Sequence, residues 1–281
     1  MIALKTWREL RSMGIAYILI LEALLIPAVV LWPDLRGGFD EITSLVDSPL
    51  ISRIVDSIVE MVPAEFMQRI VRMILDNDEE TSYRAYLAVQ MFFKGVNIVG
   101  IAAAILLGTG MVSRERENQT LEFLLSRPAS RSAILWNKYW VTAVIVVVPI
   151  FLTSWSARPM SALDPVNLDV PLDVLMICSF HNAAFVLVVL SLTTIFSVLA
   201  KSQVQTAFWI GGVVILQVAL YFVQTIRRFS AFKLSDFDVY QPVMIGNQGF
   251  WELFTEQTVW LLLAAVVLYG IADRLFARTQ P

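Results

Sequence analysis

Residues 86–112 read YLAVQMFFKGVNIVGIAAAILLGTGMV, with Lys94 as their only charge. At 1.5 Å rise per residue, about 20 such residues cross a hydrocarbon core of ~30 Å, so this run is long enough to span a bilayer as a helix. Five further segments pass the same test: Gly14 to Trp32, Trp136 to Trp155, Asp173 to Ala200, Gln205 to Val223 and Gln257 to Phe276. None alternates apolar and polar residues as a barrel strand would, and only a helix satisfies its own backbone in lipid over such a length. The expected fold is an all-α, polytopic bundle of six transmembrane helices forming one domain over residues 1–281.

The composition agrees. Hydrophobic residues make up 57% of the chain, above the roughly 45–50% of a soluble domain. A net charge of -3 offers no basic surface to nucleic acid, which excludes that partner class. The single cysteine, Cys178, can form neither an intrachain disulfide nor a cysteine-based metal site, and no metal ligand set is evident.

The first span follows Lys5, Arg8 and Arg11, as the apolar stretch of a signal peptide would. It is too long for one, and Trp32-Pro33-Asp34 follows it instead of small residues, so it reads as a retained anchor. With the amino terminus inside, six spans return the carboxyl terminus to the cytoplasm. Lys and Arg are then about twice as dense on the inner side, as the positive-inside bias requires.

Two stretches leave the span pattern. The outer loop, residues 33–85, carries apolar residues at helical spacing around Leu50 to Val59 and Phe66 to Ile74, which predicts two short amphipathic helices. They serve either as a structural lid or as a substrate-binding element. The second stretch, SRERENQTLEFLLSRPASR (residues 113–131), joins spans two and three within a polar segment covering 113–135. It alternates charges and then places Leu121, Leu124 and Leu125 on one side of a short helix that Pro128 ends.

The order Glu115-Arg116-Glu117, Thr120-Leu121-Glu122, Leu124-Leu125, Pro128, Ser130-Arg131 and Lys138 resembles the signature of the ABC-2 permease family, the membrane subunits of one class of ATP-binding-cassette exporters. Two positions depart from it: Gln119 stands where a glycine is usual before the threonine, and Asn137 where one is usual before the lysine. The resemblance implies that residues 113–135 hold a cytoplasmic coupling helix in a cleft of the ATPase subunit. Arg114, Glu115, Arg116, Glu117, Thr120, Leu121, Glu122, Leu124, Leu125 and Pro128 are then the coupling residues, with exposed leucines filling an apolar notch and flanking charges setting register. It also implies that Trp7 and Leu10, beside Lys5, Arg8 and Arg11, belong to an amphipathic helix lying at the inner membrane surface.

None of the twelve glycines precedes a lysine, so the chain lacks a phosphate-cradling loop of its own. The resemblance therefore implies a transport subunit with no cofactor in this chain, ATP and Mg being held by a separate ATPase subunit. It further implies a second permease copy or a related permease. Gly100, Ala104 and Gly108, at four-residue intervals, suit close helix approach either to that copy or within one subunit.

Glu22 and Lys94 are charges inside the bilayer at nearly equal depth, so pairing across adjacent helices is one expectation, and snorkelling of Lys94 to the outer surface the other. His181 and Asn182, near the start of span four, read as a structural hydrogen-bonding pair or as a proton relay. Between the last two spans lies an aromatic-rich outer segment. An ion-coupled carrier is the alternative that Glu22 and Lys94 would serve. A membrane enzyme would need a zinc-binding HExxH pair or a GxSxG turn, and neither occurs. Substrate identity is not written in these residues.

Overall fold

The structure is a computed structural model that describes residues 2–38, 78–126, 128–223 and 225–278. The two amphipathic helices expected in the outer loop fall within 39–77, outside the described residues.

Six helices are long and apolar enough to cross a membrane: Ile2–Gly38, Glu79–Glu117, Arg131–Ser161, Leu172–Leu199, Gln203–Phe222 and Phe250–Arg278. They coincide with the six segments found by length and hydropathy, and no strand occurs among the described residues. Most of them outlast the apolar segments that announced them, because a helix continues into the polar boundary wherever capping groups hold its ends. We number the elements α1 (Ile2–Val30), α2 (Glu79–Leu87), α3 (Asn97–Thr109), α4 (Ser113–Glu117), α5 (Leu121–Leu125), α6 (Arg131–Ser161), α7 (Leu172–Leu199), α8 (Gln203–Phe222), α9 (Phe237–Met244), α10 (Phe250–Leu253) and α11 (Val259–Arg278). A π-helical stretch, Ala88–Val96, joins α2 to α3, and another, Phe254–Thr258, joins α10 to α11.

The fourth span, α7, is the pillar. It packs against α11, α3 and α6, while α1 lies mainly along α6. Gly100 and Gly108 explain the closeness of α3 and α7: an added Cβ would stand 3.0 Å from Val186 and 2.8 Å from Thr193. The Gly100, Ala104 and Gly108 stripe therefore packs within the subunit, with Ala104 fully buried.

The expectation of a separate amphipathic helix at the membrane surface is corrected. α1 runs unbroken from Ile2 to Val30, so Trp7, Leu10 and the basic residues extend the first span instead of preceding it. No helix breaker separates them, and Gly14, which could have been one, serves to bring α1 against Ile145 of α6.

Both described chain ends lie at the end of the bundle that holds α4. Lys5 Nζ is 3.7 Å from Glu115 Oε1. Arg131 donates to the carbonyl of Ala277 and Ser132 to Asp273. At the opposite end Trp32 packs between Tyr83 and Tyr86, with ring centroids 5.3 and 5.0 Å away.

Candidate functional site

The segment between spans two and three folds as two short helices, α4 and α5, and two of the four charges in α4, Arg116 and Glu117, meet the ends of other helices. Val112 supplies no side-chain cap to α4, so its leading N–H groups need an outside acceptor. Ser197 of α7 provides it, accepting from Val112 N (3.0 Å) and Ser113 N (3.2 Å) while donating to the carbonyl of Thr109 (2.8 Å). Arg116 donates to the carbonyls of Val198 (3.0 Å) and Ala200, the trailing acceptors of α7, where a cation also complements the helix dipole. Glu117 accepts from the N–H of Gln203 at 3.1 Å, a carboxylate at the start of α8. Arg114 is half-buried and folds back over Gly110.

Glu115 is the centre of the site. Its carboxylate accepts from Lys138 Nζ at 3.0 Å and from the Thr120 hydroxyl at 2.5 Å, with Lys5 at 3.7 Å. Lys138 also donates to the carbonyl of Met111 at 2.9 Å. Each side chain of the Glu115–Lys138 pair keeps only 10% of its surface exposed. The pair thus ties α4 to α6, and Lys5 brings the start of α1 to the same carboxylate.

The turn from α4 to α5 passes through Gln119 at φ 57°, the left-handed region. This is the position at which the family signature usually carries glycine, and the backbone there has the conformation that glycine enters without a Cβ clash. The departure at 119 changes the residue and leaves the turn.

The expected exposure of the leucines is corrected. Leu121 and Leu124 are buried in the permease's own core and Leu125 is half-buried against it. A five-residue helix tethered at both ends has no independent stability, and its apolar side must be buried for it to form at all. Glu115 and Arg116 likewise spend their charge inside the subunit. The face left outward carries Glu122, Ser126 and Phe123, whose side chain is 75% exposed. Pro128 is exposed just beyond it. Of the residues singled out in sequence, the structure unites Glu115 with Thr120 and places Arg114, Arg116 and Glu117 along one capped helix. Phe123 was not singled out in sequence, and its place opposite the three leucines is the signal that could have found it. Lys5 and Ser197 carried no signal, because nothing local to either marks its distant partner.

Glu22 and Lys94 do not pair. Ser156 of α6 donates to both oxygens of the half-buried Glu22 carboxylate at 3.0 Å, while Lys94 is exposed, and among the described residues no ion pair joins them. α1 contacts both α6 and the Ala88–Val96 stretch, but Glu22 is turned to Ser156 of α6 while the Lys94 side chain stays exposed.

His181 is fully buried and bonded at both ring nitrogens, to the Thr258 hydroxyl (2.8 Å) and to the carbonyl of Leu234 (2.7 Å). Because a carbonyl only accepts, Nε2 holds the proton in the neutral ring and Nδ1 takes the Thr258 hydroxyl. Asn182 donates to Tyr240 Oη at 2.8 Å, and Asn97 donates to the carbonyl of Ser235 at 2.9 Å. These bonds favour the structural reading and stitch the segment between α8 and α10 into the bundle. Within that segment Arg227 reaches Asp236 at 2.8 Å and Tyr221 at 2.9 Å. Burial, helped by the Asp238 charge, pushes the Asp236 carboxyl up to about 6 in spite of Arg227.

Comparison with curated proteins finds no match to this chain. Its sequence does match the family described as ABC-2 family transporter proteins, over residues 41–278, which includes the whole of α4, α5 and five of the six spans. Members of this family are membrane components of ATP-binding-cassette transporters and associate with an ABC ATPase subunit. Six apolar helices joined by a capped, charge-rich segment are what such a component requires, and the chain belongs to the ABC-2 transporter family as a multi-pass permease subunit.

Proposed function

We propose that this permease exports its substrate from the cytoplasm with work done by ATP, held with Mg on a separate ATPase polypeptide that docks on α5. The observation that carries the reading is the side chain of Phe123, 75% exposed on a helix whose leucines are turned inward. Exposed aromatics flanked by charge are typical anchors of protein interfaces, and the exposed Glu122 precedes this one. Force received there would pass into α4 and on to α6 through Glu115 and Lys138. Arg114, Thr120, Leu121, Leu124, Leu125 and Pro128 would hold the shape of the docking element instead of touching the ATPase.

The orientation places both termini and the 113–135 segment in the cytoplasm, supported by the density of Lys and Arg at that end. Two permease copies, identical or related, with two ATPases make the proposed working unit. The test is co-purification with ABC ATPase subunits from the native membrane, for wild type and for Phe123→Ala. Loss of the ATPase with an unchanged melting temperature supports the reading. An undiminished complex, or chemical labelling that places residue 118 on the exterior face, overturns it.

A further inference from the structure

A groove of about 450 Å³ runs along the outside of the bundle between α1 and α6. Its walls on α1 are Trp7, Arg11, Gly14 and Ile18, spaced so that they fall on one helical stripe, and on α6 they include Val148 and Pro149. Trp7 to Ile18 covers roughly 16 Å at 1.5 Å per residue, about half the thickness of a hydrocarbon core. Gly14 forms the floor, because it lets α1 approach Ile145 so closely that a Cβ there would lie 2.9 Å away. Pro149 lies in the interior of α6, where its ring removes a backbone donor and loosens the packing of the preceding turn.

The chemistry of the groove is divided along its length. The body is almost wholly apolar, while the mouth carries the Arg11 guanidinium and the Trp7 indole at the end of the bundle that holds α4. Lys5, the neighbouring cation, is engaged by Glu9 at 3.5 Å and by Glu115. Among the described residues neither Arg8 nor Arg11 meets a carboxylate, and both are exposed. An apolar slot of this volume, of the size that binds small ligands, with an unneutralised guanidinium and an indole at its mouth, fits an amphiphile with a negative head.

We propose that this groove is a binding site for one anionic phospholipid of the leaflet on the α4 side, its acyl chain lying between Gly14 and Pro149 and its phosphate on Arg11. An arginine near an anionic headgroup is worth about fivefold in local lipid preference. The site would fix the tilt of α1 against α6, the two helices joined at their lower ends through Lys5, Glu115 and Lys138. The inference is independent of how the ATPase docks, and it holds whichever way the chain is oriented.

The test uses full-length protein in symmetric phosphatidylcholine vesicles containing either brominated phosphatidylglycerol or brominated phosphatidylcholine. The Trp7 signal is taken as the difference between wild type and Trp7→Phe. Phosphatidylglycerol should quench that signal at about fivefold lower mole fraction, Arg11→Gln should bring the two lipids to parity, and Arg11→Lys should retain the preference. Val148→Phe should weaken quenching by both. Equal quenching in wild type would show ordinary unselective lipid and overturn the proposal. Absence of quenching by either lipid would show the groove covered by protein, such as a second copy, and overturn it equally.

Discussion

Replacing Lys138 by Met removes the cation from a site where Glu115 has little water to fall back on, since 10% of its side chain surface is exposed. Breaking a buried pair by deleting one partner costs about 3–5 kcal/mol. The low end applies here, because Glu115 keeps the Thr120 hydroxyl and has Lys5 3.7 Å away. A loss of about 3 kcal/mol corresponds to a fall of roughly 6–12 °C in melting temperature. Glu115→Gln should cost less, as the amide still accepts from Thr120 and the Lys138 ammonium retains the Met111 carbonyl. In the double variant no buried charge is stranded, so its melting temperature should lie above that of Lys138→Met alone. Coupling of 0.5–3 kcal/mol is the usual range for residues in contact. The measurement is thermal unfolding of detergent-solubilised protein for the four members of the cycle. Strict additivity, with the double variant the least stable of the four, would refute the claim that the pair rather than its separate hydrogen bonds holds α4 to α6.

The same method applied to Glu22→Gln and Lys94→Met should give additive losses, because the two side chains make no contact; a coupling above about 0.5 kcal/mol would contradict the separation described here. Gln119→Gly should be neutral or slightly stabilising, whereas Gln119→Val should destabilise by about 1–2 kcal/mol, the Cβ branch being opposed to φ 57°; equal melting temperatures for the two would refute the turn. Asp236 has a folded pKa of about 6, raised above the ordinary carboxylate value, so the folded state holds the proton more tightly than the unfolded chain. Its contribution to stability is therefore complete below about 4 and is lost as pH rises through about 6. Melting temperatures at pH 5 and pH 7.5 should differ less in Asp236→Asn than in wild type, and an unchanged difference would rule out this carboxyl as the source.

The membrane fold was legible because bilayer thickness and helical rise are fixed lengths, and a run of apolar residues can be measured against them. The same ruler gave Glu22 and Lys94 similar expected depths. Their pairing was not legible, since height along a helix says nothing of which neighbour it faces, and α1 turned its inner side to Ser156. The leucines of α5 failed for a related reason. A short amphipathic helix shows that one side must be buried, but not whether the burial is against its own subunit or a partner. Gln119 is another such case: the sequence showed only that glycine was replaced there, and the left-handed φ of 57° is visible in the structure alone.

In lipid the apolar faces of helices gain little by leaving one solvent for another, so packing and hydrogen bonds between helices decide which elements move together. On that criterion α7 is the member bonded to α4, to α6 and to the segments between α8 and α11. At its α4 end Ser197 caps α4, and higher up Ser191 meets the Tyr139 hydroxyl at 2.7 Å. Beyond its middle Ser179 donates to Ser154, Asn182 holds Tyr240 and His181 holds Thr258 and the Leu234 carbonyl. Bonds of this kind are worth about 0.6 kcal/mol each on average, so no one of them makes a rigid joint, but their distribution along the whole length of α7 leaves no level at which it can slide freely. On the proposed reading, a displacement entering at α5 therefore reaches the far side of the bundle through α7. The elements free to move against it are α1 and α8, which are held to α4 chiefly by single carboxylates, Glu115 and Glu117.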